Sequence, residues 1–138
     1  MMNVSEQVTL TNENEMDSSS TVNPALPVFD AVMTVFLNQL EALDQKVMKK
    51  LRQSILSQVS LRLSSLAERQ KLNAWLTGST DKLDINIGLV DMQHCLHHTY
   101  HSACVYFGPT EADELLAKAV SETETLPIAT EFSPQKLF

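Results

Sequence analysis

The chain has 138 residues, of which 43% are hydrophobic, and its formal net charge is −7. This length and apolar fraction fit one domain with a modest core, since domains usually contain about 100 to 150 residues. The sequence has no run of about 20 uncharged apolar residues, and its acidic start lacks the basic and apolar regions of a signal peptide, so we expect a cytoplasmic protein without a membrane span.

Residues 1–22 are rich in Asn, Ser, Thr and Glu and show little hydrophobic periodicity. Such a segment has too few apolar groups to offset the entropy that is lost when its backbone becomes ordered. We therefore predict a disordered acidic tail over residues 1–22, followed by a helical domain over residues 23–126.

Helical spacing begins after Asn23 and Pro24, which suit a helix start because proline is tolerated in a first turn. As one helix, the pattern would span about 40 residues and roughly 60 Å, too long for a small domain unless it forms a coiled-coil arm or a dimer. We favour a break near residues 43–45, where Asp44 can cap a second helix, although nothing there breaks a helix strongly. The apolar positions of this stripe are Phe29, Val32, Phe36, Leu40, Leu43, Val47, Leu51, Ile55, Val59, Leu63 and Leu66.

A third helix is predicted between Ser65 and Gly78. Ser65 and Glu68 have the spacing of a capping box, and glycine readily takes the left-handed conformation that ends a helix. Over residues 83–87, apolar and polar residues alternate as they would in a strand. Because no second convincing strand exists to pair with this one, we predict an extended connection.

A fourth helix, predicted over about residues 88–107, holds all four histidines and both cysteines. One side of this helix forms a core face, and the histidines lie mostly on the other side. The pairs His94/His98 and His97/His101 have the one-turn spacing by which two imidazoles can chelate one metal ion. The core face comprises Leu89, Met92, Leu96, Tyr100, Ala103 and Phe107.

The histidines support three hypotheses. A divalent transition metal would need further ligands from Asp91, another helix or a second subunit, because structural zinc has four ligands and catalytic zinc three. Alternatively, the imidazoles cover a solvated or interfacial face, which we rank first, or they sense protons together as the pH falls. Cys95 and Cys104 flank the core stripe, so we interpret them as small buried apolar groups and rank a Cys-His catalytic pair below the metal site.

A fifth helix is predicted from Thr110 to about Leu126, because the Thr110 hydroxyl can cap it with Asp113 three positions later. The preceding Gly108 and Pro109 close the fourth helix. This fifth helix completes the predicted helical domain.

Residues 127–138 form a C-terminal segment that we expect to be extended or irregular, since it contains two prolines. Phe132, Leu137 and Phe138 make it too apolar for a purely solvated tail. We therefore predict that these side chains fold back onto the domain or dock in a groove of a partner.

Residues 45–71 hold seven of the ten basic residues and only one acid, whereas both ends of the chain are acidic. Lys46, Lys49 and Lys50 share a face opposite the apolar stripe, as in a solvated helix surface, and with Arg52 they form a candidate nucleic-acid surface. The chain has no RNA-binding signature or zinc-finger spacing, and its acidic remainder repels phosphate, so we rank this hypothesis low.

These observations predict an all-α fold, a small bundle of four or five helices, with a homodimer completing the core along the stripe. The most favoured function is a cytoplasmic protein-interaction or regulatory adaptor that self-associates and needs no cofactor. We expect no enzyme, since all three glycines lie at helix ends or connections and none forms a phosphate loop or nucleophile elbow. Alternatives are a metal-binding sensor or storage protein and a nucleic-acid-binding regulator. The predicted packing or partner residues are Phe36, Leu40, Val47, Leu51, Ile55 and Trp75, with Phe132, Leu137 and Phe138 as the docking segment.

Overall fold

The computed structural model describes residues 23–63 and 65–138 and has an all-α architecture, as predicted. Within these residues five α-helices pack into one bundle, and no strand forms. The predicted disordered tail lies outside the described residues. The helices are α1 (Ala25–Leu43), α2 (Gln45–Ser60), α3 (Leu66–Leu76), α4 (Leu89–Phe107) and α5 (Pro109–Glu124), followed by two short 3-10 turns at Pro127–Thr130 and Pro134–Leu137.

Asp44 separates α1 from α2, which confirms the break that we favoured. Its backbone is extended, and its Oδ1 accepts hydrogen bonds from the backbone N–H groups of Lys46 and Val47, at 3.0 and 3.1 Å. This cap satisfies amide groups that a helix start leaves without an intrahelical partner. The apolar stripe from Phe29 to Val59 therefore divides between two helices that pack against each other, while Leu63 and Leu66 lie beyond α2.

Helix α1 is the central element of the core and packs against α2, α4, α5 and the C-terminal segment. Among the described residues it is the one helix whose length and mean hydropathy, 1.3, would also suit a membrane span, a test that core helices pass as well. Within the stripe, Leu43 and Leu66 are 51% and 66% exposed, because the chain turns at both places. The buried side chains of α1 are Ala25, Val28, Phe29, Val32, Met33, Phe36, Leu37 and Leu40.

The start of α3 is anchored to the extended connection that follows this helix. Ser65 Oγ accepts a hydrogen bond from the Glu68 backbone N–H at 3.2 Å, as the capping-box spacing predicts. The Glu68 carboxylate accepts a bond from the backbone N–H of Asn86 at 2.6 Å. Gly78 ends the helical region with a φ of 84°, a left-handed conformation that favours glycine.

Residues 83–87 form an extended connection, as predicted, and not a strand of a sheet. Leu83, Ile85 and Ile87 are buried, whereas Asp84 and Asn86 are exposed. The alternation of apolar and polar residues therefore reflects one face of a single extended chain lying on the helical core. It needs no partner strand because the helices cover that face.

Asp30 of α1 connects three parts of the fold. Its Oδ1 accepts a hydrogen bond from Trp75 Nε1, and its Oδ2 accepts one from the backbone N–H of Leu83, both at 2.9 Å. The Trp75 ring also packs against Phe29, with ring centroids 6.2 Å apart. One carboxylate thus links α1 to α3 and to the extended connection, a role that our sequence analysis did not predict.

Arg52 of α2 also connects helices through its hydrogen bonds. Its guanidinium donates one hydrogen bond to the Glu41 carboxylate of α1 and one to the backbone carbonyl of Leu76 at the end of α3, both at 2.6 Å. A cation at a helix C-terminus satisfies a carbonyl that has no intrahelical partner and also offsets the helix dipole. Arg52 therefore stabilises the contacts of α2 with α1 and α3.

A single residue, Gly108, joins α4 to α5. Its φ of 93° and ψ of 150° lie in a region that L-residues rarely adopt. The chain therefore reverses within one residue, and Pro109 occupies the first turn of α5, where its missing N–H is harmless. Our prediction of a cap at Thr110 was wrong, because the helix begins earlier and has no side-chain cap, and it ends at Glu124 instead of about residue 126.

Candidate binding groove between α4, α5 and the C-terminal turn

A groove of about 790 Å³ runs between α4, α5 and the last 3-10 turn, and we call it the α4–α5 groove. Cavities of about 300 to 1,000 Å³ with mostly apolar linings and a few polar groups are typical of binding sites. The apolar lining residues are Leu96 of α4, Leu116, Ala117 and Val120 of α5, and Leu137 and Phe138. The polar lining residues are Gln93, His94, His97, Tyr100, Asp113, Ser121, Glu124 and Gln135.

One continuous face of α5 forms a wall of the groove. Its lining positions follow helical spacing over three turns, with Leu116, Ala117 and Val120 in the middle and the carboxylates of Asp113 and Glu124 at the two ends. Residues three, four, seven and eleven positions apart lie on the same side of a helix. This wall therefore presents an apolar stripe that is bounded by one acid at each end.

The opposite wall belongs to α4, where His94, His97 and Tyr100 line the groove. The Tyr100 hydroxyl donates a hydrogen bond to the Asp113 carboxylate and so links the two walls. This bond, followed by a hydrogen bond with Cys104, raises the pKa of Tyr100 well above its ordinary value. Tyr100 thus stays protonated near neutral pH and holds Asp113 in place.

The C-terminal segment closes one end of the groove. Leu137 is buried at 1% exposure, so this side chain has folded back onto the domain, which is one of the two outcomes predicted for it. Gln93 of α4 donates a hydrogen bond to the Lys136 carbonyl at 3.0 Å, and the Gln135 amide donates one to Glu124 at 3.3 Å. Phe138 remains 57% exposed at the edge of the groove.

Negative charge dominates the rim on the α5 side. Helix α5 contains five acidic residues and a single lysine, Lys118. Among the residues that the structure describes, no lysine or arginine lines the groove. The arrangement therefore combines an apolar floor with a negatively charged edge, and such a surface attracts apolar groups that have positive charges beside them.

The histidines face a smaller cavity of about 380 Å³ between α2 and α4, and two of them, His94 and His97, also line the groove. His98 Nε2 lies 2.9 Å from the Ser54 hydroxyl of α2. Partial burial, and then the neighbouring imidazole of His101, lower the pKa of His98. The histidines thus form an interface with α2 as well as a solvated face.

The metal hypothesis gains no third ligand from the described part of the chain, where no group of three or more His, Cys, Asp or Glu could hold an ion. His94/His98 and His97/His101 keep their one-turn spacing on α4. Asp91, which we considered as a further ligand, pairs at 3.0 Å with Arg62, which follows the end of α2. A metal site on these pairs would therefore need ligands from outside the described residues.

The cysteines differ in their surroundings. Cys95 is buried, as predicted, and its burial raises the pKa of its thiol to about 12. A thiol with such a pKa is protonated near neutral pH and is a poor nucleophile. Cys104 is only partly buried.

Most of the predicted packing or partner residues pack inside the bundle. Phe36, Leu40, Leu51 and Ile55 have no exposed surface, and Trp75 is 7% exposed. These residues therefore serve as core residues, and a partner cannot reach them while the bundle is closed. Of the remaining predicted residues, Val47 and Phe132 are partly buried.

The candidate nucleic-acid residues divide into two groups. Lys46, Lys49 and Lys50 are exposed on α2, as predicted for a solvated face. Arg52 is instead held by Glu41 and the end of α3. Two further arginines of the basic region also make internal contacts. Arg62 pairs with Asp91. Arg69 donates hydrogen bonds to the backbone carbonyl of Ser60, the last residue of α2, and to that of Leu63.

A larger depression of about 1030 Å³ lies between α1, the extended connection and the end of α5. Asp30, one of its lining residues, already binds Trp75 and Leu83. Its other charged groups are of both signs, with Lys82 between Asp81 and Asp84. This surface therefore lacks the uniform charge of the α4–α5 groove.

Our sequence analysis missed the α5 wall of the groove. A signal was present, because the apolar residues of α5 cover more of its circumference than the buried face of Ala112 and Ala119 requires. Leu116 and Val120 widen this stripe toward α4.

Comparison with protein-family models, curated proteins and solved structures gave no match for this chain.

Proposed function

We propose that this chain is a protein-interaction module, an adaptor or regulatory factor that binds an apolar segment of a partner protein in the α4–α5 groove. The observation that carries this proposal is the groove itself, which is open, apolar on its floor and bordered by the half-exposed Phe138. Exposed apolar surface with a polar rim is typical of protein interaction sites.

The polar groups of the groove favour binding over covalent chemistry. Tyr100 and Asp113 hold each other in a hydrogen bond that keeps the tyrosine protonated. Outside the groove, the thiol of Cys95 is buried, and burial raises its pKa to about 12, so this sulfur is poorly suited to nucleophilic attack. These features support a surface that orients a bound chain.

The other functions have weaker support from the geometry. Nucleic-acid binding would depend on the lysines of α2, since Arg52 and Arg62 already pair with acidic side chains. Metal binding would depend on two-histidine pairs for which the described residues supply no third ligand. The α4–α5 groove needs no such additional component.

The proposal is tested by crosslinking partners in cell extract to the wild-type chain and to an Ala117→Arg variant. Ala117 is exposed on α5 within the groove, so arginine there blocks the groove without disturbing the core. The matched control is Ala42→Arg, which places the same side chain at an exposed position of α1 outside the groove. Circular dichroism checks that both variants fold.

We expect a defined set of proteins to be lost with Ala117→Arg and retained with Ala42→Arg. An unchanged set in both variants would contradict the proposal. Recovery of nucleic acid that depends on the α2 lysines would favour the nucleic-acid alternative instead.

A further inference from the structure

The spacing of charges in the α4–α5 groove specifies the chemistry of its partner. Asp113 and Glu124 lie eleven residues apart on α5, which corresponds to about 16 Å and to three helical turns. Leu116 and Val120 lie between them on the same wall. The wall therefore presents the order acid, apolar, apolar, acid along one straight line.

Both carboxylates keep their charge available to a partner. Asp113 accepts a hydrogen bond from Tyr100, and Glu124 accepts one from Gln135, so neutral side chains hold both groups in position. Within the described residues the ion pairs involve Glu41, Asp91 and Glu68 instead. Asp113 and Glu124 are both exposed, so a basic side chain from a partner can approach each of them from the solvent, although the C-terminal segment closes one end of the groove.

The regular spacing favours a helix as the occupant. Two helices pack side by side when residues spaced three and four apart on one of them meet similar rows on the other. The groove already offers such rows from α4 and α5, and a third helix lying between them would complete a three-helix contact. A helix of three turns matches the distance from Asp113 to Glu124.

A second copy of this chain is a poor occupant of the groove. The helix that it could present most directly is its own α5, which has five acids and one lysine. Like charges directly across an interface oppose association. The basic helix α2 cannot take this place, because its apolar residues Met48, Leu51 and Ile55 are buried in its own core.

We infer that the α4–α5 groove binds an amphipathic helix of another protein that carries lysine or arginine at positions i and i+11. Its large apolar residues lie at about i+3 and i+7 if it runs parallel to α5, or at about i+4 and i+8 if it runs antiparallel. This inference rests on the proposed function and names its partner class. The basic residues pair with Asp113 and Glu124, and the apolar residues contact Leu116 and Val120. Apolar contact supplies the affinity, and the two charge pairs select the helix and its register.

The test uses two fluorescein-labelled synthetic helical peptides in an anisotropy titration with the full chain. One peptide has lysine at the two flanking positions, and the other has glutamate there, with all apolar residues the same. We expect the lysine peptide to bind more tightly and the difference to shrink as salt is added, since exposed charge pairs are screened.

Variants of the protein test whether Asp113 and Glu124 cause the preference for the lysine peptide. Asp113→Asn and Glu124→Gln keep the shape of each side chain and an oxygen for Tyr100 or Gln135, and each should weaken lysine-peptide binding by about threefold, a typical effect for exposed ion pairs. The matched controls are Glu114→Gln and Glu122→Gln, which remove equally exposed acids of α5 outside the groove. The controls should bind as the wild type does.

Three outcomes would overturn the inference. Equal binding of both peptides would refute the selection of charge, and equal effects of groove and control variants would refute the role of Asp113 and Glu124. Absence of peptide binding, together with Ala117-dependent crosslinking of natural partners, would refute a helical occupant and leave the proposed function standing. Self-association that Ala117→Arg abolishes, measured by light scattering, would show a second copy in the groove instead.

Discussion

Replacing Asp30 should destabilise the fold more than replacing any exposed acid nearby. In the structure the Asp30 carboxylate accepts hydrogen bonds from the Trp75 indole and the Leu83 backbone, both at 2.9 Å. Asp30→Ala removes these two bonds and a third from the Thr34 hydroxyl at 3.0 Å, and it leaves the indole and backbone donors in a largely buried environment, where Trp75 is 7% exposed. The loss affects the contacts of α1 with α3 and with the extended connection at once.

The magnitude follows from the number and type of these bonds. Hydrogen bonds to a charged group each contribute about 1.5 to 3 kcal/mol. The Thr34 hydroxyl can rotate toward another acceptor. The bonds from Trp75 and Leu83 share one carboxylate and add less than their sum, so we expect a loss of about 3 kcal/mol. With a urea dependence of about 1.5 kcal/mol per molar for a chain of this size, the unfolding midpoint falls by about 2 M. Asp30→Asn keeps one carbonyl oxygen and should lose about half as much free energy.

The assay is urea unfolding followed by the fluorescence of Trp75, the only tryptophan of the chain. The matched control is Asp84→Ala, which removes an exposed carboxylate from the extended connection. Asp30→Ala should also shift the native emission to longer wavelength, since the indole loses its partner and gains water. The reasoning would be refuted if the Asp30→Ala and Asp84→Ala midpoints agreed within about 0.3 M, the range expected for a surface substitution.

Three further predictions concern the reactivity of the cysteines, the titration of His98 and the hydrogen bonds of Arg52. In native protein, Cys104 should react with a thiol reagent well before Cys95, and equal rates would contradict the burial of Cys95. In the folded protein the pKa of His98 is lowered from 6.5, so the unfolded chain binds more protons between these two pKa values. The free energy of unfolding should therefore decrease as the pH falls through about 6.5, and it should level off below the folded pKa. His98→Gln should remove this decrease and His94→Gln should retain it, as measured by urea unfolding at several pH values. Arg52→Lys should lower the free energy of unfolding by about 1 to 2 kcal/mol in thermal denaturation, because a lysine ammonium cannot donate to the Glu41 carboxylate and the Leu76 carbonyl with the geometry of a guanidinium. An unchanged melting temperature would refute a stabilising role of these two hydrogen bonds.

Local signals in the sequence were enough to predict several helix boundaries. Asp44 caps α2 and Ser65 caps α3 because short polar side chains bind amide groups only a few residues away. Gly78 ends the third helical region for an equally local reason, its positive φ. Such features depend on neighbours in the chain, so a single sequence reveals them.

Other features depend on distant parts of the chain and could not be predicted in this way. The two long-range partners of Asp30, Trp75 and Leu83, lie 45 and 53 residues away, and nothing in the local sequence identifies them. The apolar stripe was visible, but its use within one chain became apparent only when the bundle showed Phe36 and Leu51 fully covered. The groove likewise combines α4, α5 and the C-terminal turn, so no one segment encodes it.

The one-residue junction at Gly108 fixes the rotational phase of α5. Inserting one residue there would turn α5 by about 100° around its axis, and about four insertions would be needed to restore the original orientation. The same rotation that moved Leu116 and Val120 away from α4 would also remove Ala119 and Thr123 from the core, where they are 0% and 1% exposed. Formation of the core and placement of the α5 wall of the groove are therefore one event in this chain, and a molecule whose core has formed has Leu116 and Val120 in register with α4.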